Sequence, residues 1–432
     1  MIKKGLYNIP NNWYWSKLGE ITSVIGGGTP SSKINEYYDN GDIAWITPSD
    51  LSNYNNMYIS KGKKMITKLG LMKSSAKLLP KGTVCLSSRA PIGYVVIAKN
   101  ELSTNQGFKS FLPSKVFKSE YLYWYLKSIK HILEAKASGT TFLELSAKKA
   151  GEVEIPLPPL NEQQRIVNRI ESLFAKLDRA KELIENTLAQ FEQNKMAILH
   201  KAFTGELTAK WRKENNIDLS SWEKIKLGKV LLPMQTKKPT GQFFRYIDID
   251  AIDNKRQIVK APKLILTEKA PSRASRGVET GNILFSMVRP YLKNIAQIDS
   301  DLSDCIASTG FYVCRCKPEL NSRFLYYLFI FDKTIDYLMQ FMKGDNSPSI
   351  RKDDLLNMKI DLPTIEEQQE IVNILDNLLA KYNKIKNLEQ QLEKIELLKK
   401  AILAKAFRGE LGTNNPDEES AENLLKEILA EK

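Results

Sequence analysis

Two stretches of the 432-residue sequence carry residue types that could perform chemistry. Residues 26–33 begin with three glycines and end in Lys33, as a phosphate-binding loop would, but the glycine that should directly precede the lysine is missing. We interpret this run as a glycine-rich turn that approaches other backbone closely. The carboxylates Asp248, Asp250 and Asp253 could bind a metal ion, but their spacing also fits a strand edge followed by a turn.

The other motifs of DNA-processing enzymes are missing from the sequence. It contains no Asn/Asp-Pro-Pro-aromatic motif for adenine methylation, no complete phosphate loop and no His-Glu-x-x-His. The residues that most often bind transition metals are few and scattered: Cys85, Cys305, Cys314, Cys316, His131 and His200. The pair Cys314 and Cys316 fits alternation along a strand better than a metal site. We therefore predict a chain with no catalytic residues and no metal.

Cysteine usage and hydropathy predict where the chain works. Four cysteines are too few and too unevenly spread for a disulfide framework, which favours a reducing compartment. The sequence starts without the apolar run of a signal peptide, and no stretch approaches the roughly 18 apolar residues of a membrane span. These features predict a cytoplasmic protein with no membrane contact.

Positive charge lies in two separate blocks of the sequence. The net charge is +14, of which residues 1–160 contribute +10 and residues 215–360 contribute +7. Residues 161–214 contribute only +2, and residues 361–432 contribute −5. Two basic blocks favour two surfaces for a polyanion, although a surface that merely keeps the protein in solution would have the same composition.

An internal repeat relates the two basic blocks. The motif Trp-x-x-x-Lys-Leu-Gly begins at Trp13 and recurs at Trp222, an offset of 209 residues. The other repeated pieces are residues 82–91 and 281–290, 106–108 and 309–311, 122–126 and 324–328, and 155–168 and 360–373. Strand-like runs rich in β-branched and aromatic residues fill both blocks, which predicts two similar α+β domains.

A helix without Gly or Pro is predicted after each block, from about 161 to 203 and from 366 to 407. Each helix carries a narrow apolar stripe that requires a partner helix, and the simplest partner is the other copy. Separate packing of each helix on its own domain is the alternative. The residues predicted to pair the helices are Ile170, Leu173, Leu177, Ile184, Phe191, Ile198, Leu378, Ile385, Leu388, Leu392, Ile395 and Ile402.

The repeated signatures resemble one family, the specificity subunits of type I restriction-modification systems. The resemblance rests on residues 155–167, which read Ile-Pro-Leu-Pro-Pro-Leu-Asn-Glu-Gln-Gln-Arg-Ile-Val, on residues 201–208, and on the second copies of both. It implies a first target-recognition domain (1–160), a first long helix (161–207), a connector (208–221), a second target-recognition domain (222–360), a second long helix (361–411) and a tail with a short amphipathic helix (412–432). The second copy departs from the first at Asp361 and Thr364, which replace Pro156 and Pro159.

In such proteins the two helices pair as an antiparallel coiled coil, which gives the halves a pseudo-twofold relation, and each recognition domain reads one half of a divided DNA target. The resemblance further implies two methyltransferase subunits as partners, and up to two restriction subunits. Those partners would use S-adenosylmethionine, and ATP with Mg²⁺ for restriction, whereas this chain would hold no cofactor. Two alternatives remain open from the sequence: a self-contained DNA-processing enzyme with degenerate motifs, or a coiled-coil scaffold that binds only proteins.

The residues that contact DNA are predicted from the repeat. Arg89 and Arg289 lie beside prolines at what we expect to be one shared position, and arginine can bind a guanine edge through two hydrogen bonds. The full set of predicted DNA-binding residues is Ser87, Ser88, Arg89, Gln106, Lys237, Lys238, Ser286, Arg289, Tyr291 and Lys293. For each of them, a shared structural turn is the alternative explanation.

Overall fold

The computed structural model of the protein describes residues 6–139, 143–383 and 386–430, without the side chains of residues 381–383, 386–387 and 428–430. The chain forms two compact units. The first unit contains the residues up to Leu183 together with those from Gln390 onward, and the second unit is Ile184–Glu389. Each unit therefore combines one basic block with a part of each predicted long helix.

The basic block of the first unit is built from short strands and helices. Its strands are β1 (Tyr14–Lys17), β2 (Val24–Gly26), β3 (Ile43–Ile46), β4 (Tyr58–Ile59), β5 (Lys64–Ile66), β6 (Val84–Ser88), β7 (Ile92–Ala98), β8 (Ser103–Thr104), β9 (Phe108–Phe111) and β10 (Glu154–Leu157). Its helices are α1 (Leu18–Ile21), α2 (Lys68–Met72), α3 (Ser119–Ser128), α4 (Lys130–Lys136) and α5 (Ala147–Gly151). The strands form sheets in the orders β2-β9-β6-β7-β4 and β5-β3-β8, and β1 pairs with β10.

The first long helix, α6 (Leu160–Phe203), is followed by the short helix α7 (Ala209–Glu214) and then by the basic block of the second unit. The strands of that block are β11 (Glu223–Lys226), β12 (Leu231–Leu232), β13 (Phe243–Ile247), β14 (Ile252–Asp253), β15 (Ile258–Val259), β16 (Lys263–Leu266), β17 (Ala274–Gly277), β18 (Ile283–Ser286), β19 (Ile295–Gln297), β20 (Ile306–Ser308), β21 (Phe311–Cys316) and β22 (Lys359–Leu362). Its sheets run β12-β21-β18-β19 and β16-β13-β20-β17, with the pairs β11-β22 and β14-β15 beside them.

The remaining helices are α8 (Ser322–Ile330), α9 (Asp332–Met339), α10 (Lys352–Leu356), α11 (Ile365–Asn383), α12 (Lys386–Ala406) and α13 (Ala421–Ala430). Helices α11 and α12 lie within the range predicted for the second long helix. Residues 384 and 385, between them, lie outside the described part of the chain.

The two blocks repeat one topology. In each, a central strand has a parallel and an antiparallel neighbour: β3 lies between β8 and β5, and β13 lies between β20 and β16. In each, an antiparallel trio of strands forms the centre of a second sheet, with β6 between β7 and β9, and β18 between β19 and β21. Strand β1 pairs with β10 as β11 pairs with β22, directly before a long helix. The predicted α+β class and internal repeat are confirmed.

Each block packs an aromatic helix against the antiparallel trio of strands. In the first unit, helix α3 buries Tyr121 and Tyr125, and both of their rings meet Phe407 at the end of α12, with centroid distances of 5.3 and 5.0 Å. In the second unit, helix α8 buries Phe324 and Tyr327 in a core that also contains Leu199 and Ala202 of α6. Burial of such side chains contributes about 1.5–3 kcal/mol each, which fixes the blocks on the helices.

The glycine-rich run, Asp248 and the cysteines, considered above as possible chemical sites, are explained by their structural surroundings. A side chain on Gly27 would lie 2.0 Å from the Asn105 carbonyl oxygen, so the glycine-rich run is a turn that approaches other backbone, as predicted. Asp248 accepts a hydrogen bond from the Ala251 amide, at a turn after β13, and pairs with Lys263. Burial raises the pKa of the Cys85 thiol to about 12 and that of Cys316, at the end of β21, also to about 12. Thiols with such a pKa stay protonated and unreactive.

Among the residues that the structure describes, no helix combines enough length with enough apolar character to cross a bilayer.

Candidate nucleic-acid interface

The turn after β6 holds the first group of predicted DNA-binding residues. Ser87 and Ser88 are fully buried. The Ser87 hydroxyl accepts a hydrogen bond from the Tyr94 amide at 2.8 Å and donates one to the Pro91 carbonyl at 2.7 Å. The Ser88 hydroxyl donates to the Gly107 carbonyl at 3.1 Å. Both serines thus stabilise the turn. Their burial disfavours contact with DNA, which stays a prediction for both residues.

Arg89 and Gln106 lie at the surface of the first unit. Arg89 is half-buried, and its guanidinium lies 3.7 Å from a carboxylate oxygen of Glu144. The same carboxylate accepts a hydrogen bond at 3.1 Å from Lys109, which is only 8% exposed. Gln106 is exposed, and its side chain is hydrogen-bonded to Thr29 of the glycine-rich turn. Gln106 and Thr29 are thus exposed together, while the half-buried Arg89 and the buried Lys109 both lie against Glu144.

The corresponding turn of the second unit follows β18. Ser286 is buried and donates a hydrogen bond to the Val288 carbonyl at 2.8 Å, as a turn residue would. Arg289 is exposed, and its guanidinium donates to the Asn346 carbonyl at 2.9 Å. Tyr291 is exposed, whereas the Lys293 ammonium is ion-paired with Asp332. Arg289 and Tyr291 are therefore available to a ligand.

Lys237 and Lys238 lie on the loop between β12 and β13. Both are exposed, and the backbone amide of Lys237 donates to the Ser275 carbonyl at 3.0 Å beside β17. Their loop is thus tied to a sheet edge while their side chains face solvent. The DNA contact predicted for them stays a prediction.

The structure corrects one prediction: Arg89 and Arg289 do not occupy the same position of the repeat. The Ser88 amide bonds to the Gly107 carbonyl as the Met287 amide bonds to the Gly310 carbonyl, which aligns Ser88 with Met287. Arg289 therefore aligns with Ala90, and both have left-handed backbone, with φ of 47° and 45°. Arg89 stands two residues before Pro91, whereas Arg289 stands directly before Pro290, so the two arginines differ in position when residues are counted from the buried strand. The prediction was wrong because it matched the arginines only by their nearness to a proline.

A second site that the sequence did not reveal lies where each long helix begins. In the first unit, Glu162 near the start of α6 is buried and accepts a hydrogen bond from the Trp13 indole at 2.8 Å. Asn414 and Thr413, which follow α12, donate to the same carboxylate at 3.0 and 3.4 Å. Burial raises the pKa of Glu162, while the hydrogen bonds from Trp13 and Asn414 and the charge of Arg165 act against that rise.

The second unit repeats this arrangement, but there the charge of a buried arginine neutralises the glutamate. Glu367, near the start of α11, is buried and accepts a hydrogen bond from the Trp222 indole at 2.9 Å. Thr208, which follows α6, donates at 2.6 Å, and the buried Arg212 of α7 forms an ion pair with the same carboxylate. We name these two arrangements the Trp–Glu junctions. Each junction joins a basic block, the start of one long helix and the segment that follows the other long helix.

The glutamine after each junction glutamate ties the helix to the preceding block. Gln163 accepts a hydrogen bond from the Lys118 amide at 2.8 Å and donates to the Val116 and Pro158 carbonyls at 2.9 and 3.0 Å. Gln368 makes the same three bonds, with the Asn321 amide and the Glu319 and Pro363 carbonyls. The repeated Pro-then-Glu-Gln-Gln signature is therefore a structural lock. Its sequence signal was the recurrence of a Trp at the start of each block and of Glu-Gln-Gln at one fixed distance after a proline.

The helices pack together within each unit, and in the first unit the packing is antiparallel. Asp178 and Lys181 of α6 pair with Lys399 and Glu396 of α12, so that rising numbers on one helix meet falling numbers on the other. Of the residues predicted to pair the helices, Ile170 and Ile395 are buried. Half-buried are Leu173, Leu177, Ile184, Phe191, Ile198, Leu378, Leu388, Leu392 and Ile402. Ile385 lies outside the described residues, and the pairing role of each position stays a prediction.

Comparisons with known proteins agree on one family. The family described as "Type I restriction modification DNA specificity domain" matches residues 10–190 and 222–397. The MjaIX specificity subunit of Methanocaldococcus jannaschii is 30% identical over 434 residues, covering 93% of this chain and 94% of that protein. The EcoDI specificity subunit of Escherichia coli is 28% identical, covering 73% of this chain and 77% of that protein.

Solved structures show the same fold. A chain from a study of complex assembly and conformational transition of the type I R-M system matches with a TM-score of 0.71 at 22% identity, covering 94% of this chain and all of that one. The HsdS subunit from Thermoanaerobacter tengcongensis matches with a TM-score of 0.58 at 21% identity, with the same coverage.

Proposed function

Because the chain belongs to the type I restriction modification DNA specificity family, we propose that it selects the DNA sequence on which a type I restriction-modification complex acts. Each unit would read one half of a divided target. The chain itself would be non-catalytic, as expected for a specificity subunit. One observation carries the proposal: two blocks with one topology and separate positive charge are each locked to a long helix by the same Trp–Glu junction.

The proposed partners follow from the family. We expect double-stranded DNA, two methyltransferase subunits and, for restriction, up to two further subunits. The methyltransferase would supply S-adenosylmethionine chemistry, and the restriction subunits would use ATP with Mg²⁺, whereas this chain would hold no cofactor. The four cysteines are free, which supports work in the reducing cytoplasm.

The test is a map of methylated adenines in a host that lacks type I systems. The full chain would be coexpressed with the methyltransferase subunits of its own system, and the genome sequenced by a method that detects methylated bases. A divided target methylated only when the chain is present supports the proposal. Methylation that is unchanged when the chain is omitted contradicts it.

The alternatives give different results in the same experiment. A self-contained enzyme would modify or cleave DNA without added subunits. A protein scaffold would show no salt-dependent affinity for DNA, whereas a specificity subunit that contacts phosphates loses affinity as salt rises.

A further inference from the structure

The turn that follows β18 is one residue longer than its counterpart in the first unit. Leu86 pairs with Val95 across the first turn, which leaves residues 87–94 between them. Phe285 pairs with Ile295 across the second turn, which leaves residues 286–294. The strands on either side keep the same pairing, so the additional residue must be accommodated in the turn.

The longer turn exposes apolar side chains, whereas the apolar residue at the corresponding place in the first unit is buried. In the first unit Ile92 follows the proline of the turn and is only 4% exposed. In the second unit Tyr291 and Leu292 follow the corresponding proline and are 42% and 39% exposed. Single exposed apolar residues are common on protein surfaces, but the exposure of two adjacent apolar residues in a turn with a fixed backbone requires an explanation.

Two cationic residues with unusual backbone hold the pair in place. Arg289 and Lys293 flank the 3₁₀ turn Pro290–Leu292, and both are non-glycine residues in the left-handed region, with φ of 47° and 50°. Such backbone is rare for residues with side chains and concentrates at functional sites.

Neighbouring segments fix this conformation. The Arg289 amide donates to the Pro348 carbonyl at 2.8 Å, and the Lys293 ammonium donates to the Ile330 carbonyl at 3.2 Å and pairs with Asp332. The turn is thus presented rigidly, before any ligand arrives.

The charge around the turn fits a polyanion better than an apolar protein surface. Arg289 is exposed beside Tyr291, and the hairpin that holds Arg289 carries exposed Lys343 at its start and Arg351 just beyond its end. The opposing charges nearby include Asp345 on the hairpin, Asp332, which pairs with Lys293, and Asp354, which accepts a hydrogen bond from the Arg351 amide. Asp345 could accept a hydrogen bond from a cytosine amino group. DNA-binding proteins use such a combination of cations and a short apolar wedge to press between or against base pairs.

We propose that Tyr291 and Leu292 contact the bases of duplex DNA in one half of the target, with Arg289 beside them on a guanine edge. This inference rests on the proposed function and adds the residues by which the second unit discriminates sequence. The first unit, whose shorter turn buries Ile92, reads its half through other residues.

The test compares three variants of the full chain in the methylation map and in binding by the purified methyltransferase complex. Tyr291→Ala with Leu292→Ala removes the apolar pair. Arg289→Gly removes the guanidinium and its exposed hydrogen bond to the Asn346 carbonyl, at a backbone angle that glycine adopts readily, so any fall in melting temperature should be small. Leu264→Ala is the matched control, because Leu264 is an exposed leucine of the same unit on β16.

We expect the double variant and Arg289→Gly to bind a duplex containing the mapped target at least about tenfold more weakly, comparable to one mismatched base pair. Their methylation maps should lose definition in one half of the target and keep the other half, while Leu264→Ala keeps both. Unchanged maps, or uniform weakening on all sequences, would overturn the inference and leave the proposed function standing. Methylation lost everywhere with unchanged DNA affinity would also overturn it, since the turn would then contact a protein. A wild-type chain that directs no divided target would instead refute the proposed function.

Discussion

Two glutamates in corresponding places have different electrostatic surroundings. Glu367 has a buried cation, Arg212, in direct contact, together with hydrogen bonds from Thr208 and Trp222. Glu162 instead accepts hydrogen bonds from Trp13 and other neutral donors. The nearby Arg165 forms a bidentate ion pair with Glu418. The shared Trp–Glu geometry is thus maintained by a buried ion pair in one junction and by neutral hydrogen bonds in the other.

The buried ion pair predicts a large cost for removing one partner. Arg212→Met should lower the free energy of unfolding of the second unit by about 3–5 kcal/mol, because Glu367 would stay buried without its counter-charge. Arg165→Met is the matched control, since its pair with Glu418 is partly exposed and should contribute about 0–1 kcal/mol. Urea unfolding of both variants checks this. Equal effects would show that the burial of Glu367 does not matter.

The Glu162 junction predicts a pH dependence of stability. Burial raises the pKa of Glu162 above its unfolded value, so its contribution to stability improves as the pH falls through the raised pKa. Wild type should therefore gain stability relative to Glu162→Gln when the pH is lowered from 7 to about 5. Chemical unfolding at both pH values measures the difference.

Glu418 provides the opposite control. Its hydrogen bonds with Arg165 lower the pKa of Glu418, so its contribution is present above the unfolded pKa and is lost as the pH falls below it. The advantage of wild type over Glu418→Gln should shrink in acid. A Glu162→Gln difference with the same sign as the Glu418→Gln difference would contradict the assignment.

The long helices show what a periodic pattern can and cannot predict. The first was expected from 161 to 203 and is observed over Leu160–Phe203. Ile198, predicted from the stripe, is half-buried against the core of the second unit, and Leu199 and Ala202 are the fully buried positions near the end of the helix. There α6 packs into the α8 and α11 core rather than against a single helix, and the drift of 3.6 against 3.5 residues per turn rotates the buried face.

Lysine in the stripe of the second helix also has a physical explanation. Lys399 falls between Ile395 and Ile402 in the apolar stripe, and its ammonium lies 5.4 Å from the centre of the Phe174 ring and pairs with Asp178. Long cationic side chains can cover apolar surface while the charge meets a partner. Hydropathy alone could not reveal this contact, because it depends on the facing helix.

The helix starts predict unequal roles for two adjacent glutamines. Gln163→Ala should cost about 2–3 kcal/mol, because it leaves the Lys118 amide and two carbonyls without partners in a buried place. Gln164→Ala should change stability by less than about 0.5 kcal/mol, since Gln164 bonds only to Asn168 at the surface. Thermal and urea unfolding of both variants tests the lock, and equal costs would refute it.

At the scale of the whole molecule, the repeat, the α+β class and the two long helices could be predicted, because each is encoded in local pattern. The assembly of the first unit from both ends of the sequence could not. Asn12 donates to the Asn415 carbonyl at 3.0 Å and accepts from the Ala421 amide at 3.2 Å. Such long-range contacts depend on which segments meet, and single-residue patterns carry no information about that.

The tail helix predicts a local effect on stability. Leu425 of α13 is buried in the core of the first unit, so Leu425→Ala should destabilise that unit by about 2–5 kcal/mol. Hydrogen exchange should accelerate in α3 and not in α8. Leu398→Ala, at a half-exposed position of α12, serves as the control and should leave both helices protected. Equal acceleration in α3 and α8 would contradict a core confined to the first unit.

The ring contacts of Phe407 with Tyr121 and Tyr125 also determine the order in which the protein can mature on the ribosome. Residues 184–389 emerge as one continuous stretch and can complete their core while translation continues. The residues of the first unit that are made earlier must wait, with this aromatic surface uncovered, until Phe407 has left the exit tunnel. Slow or interrupted elongation late in the message should therefore harm the part of the protein that was synthesised first.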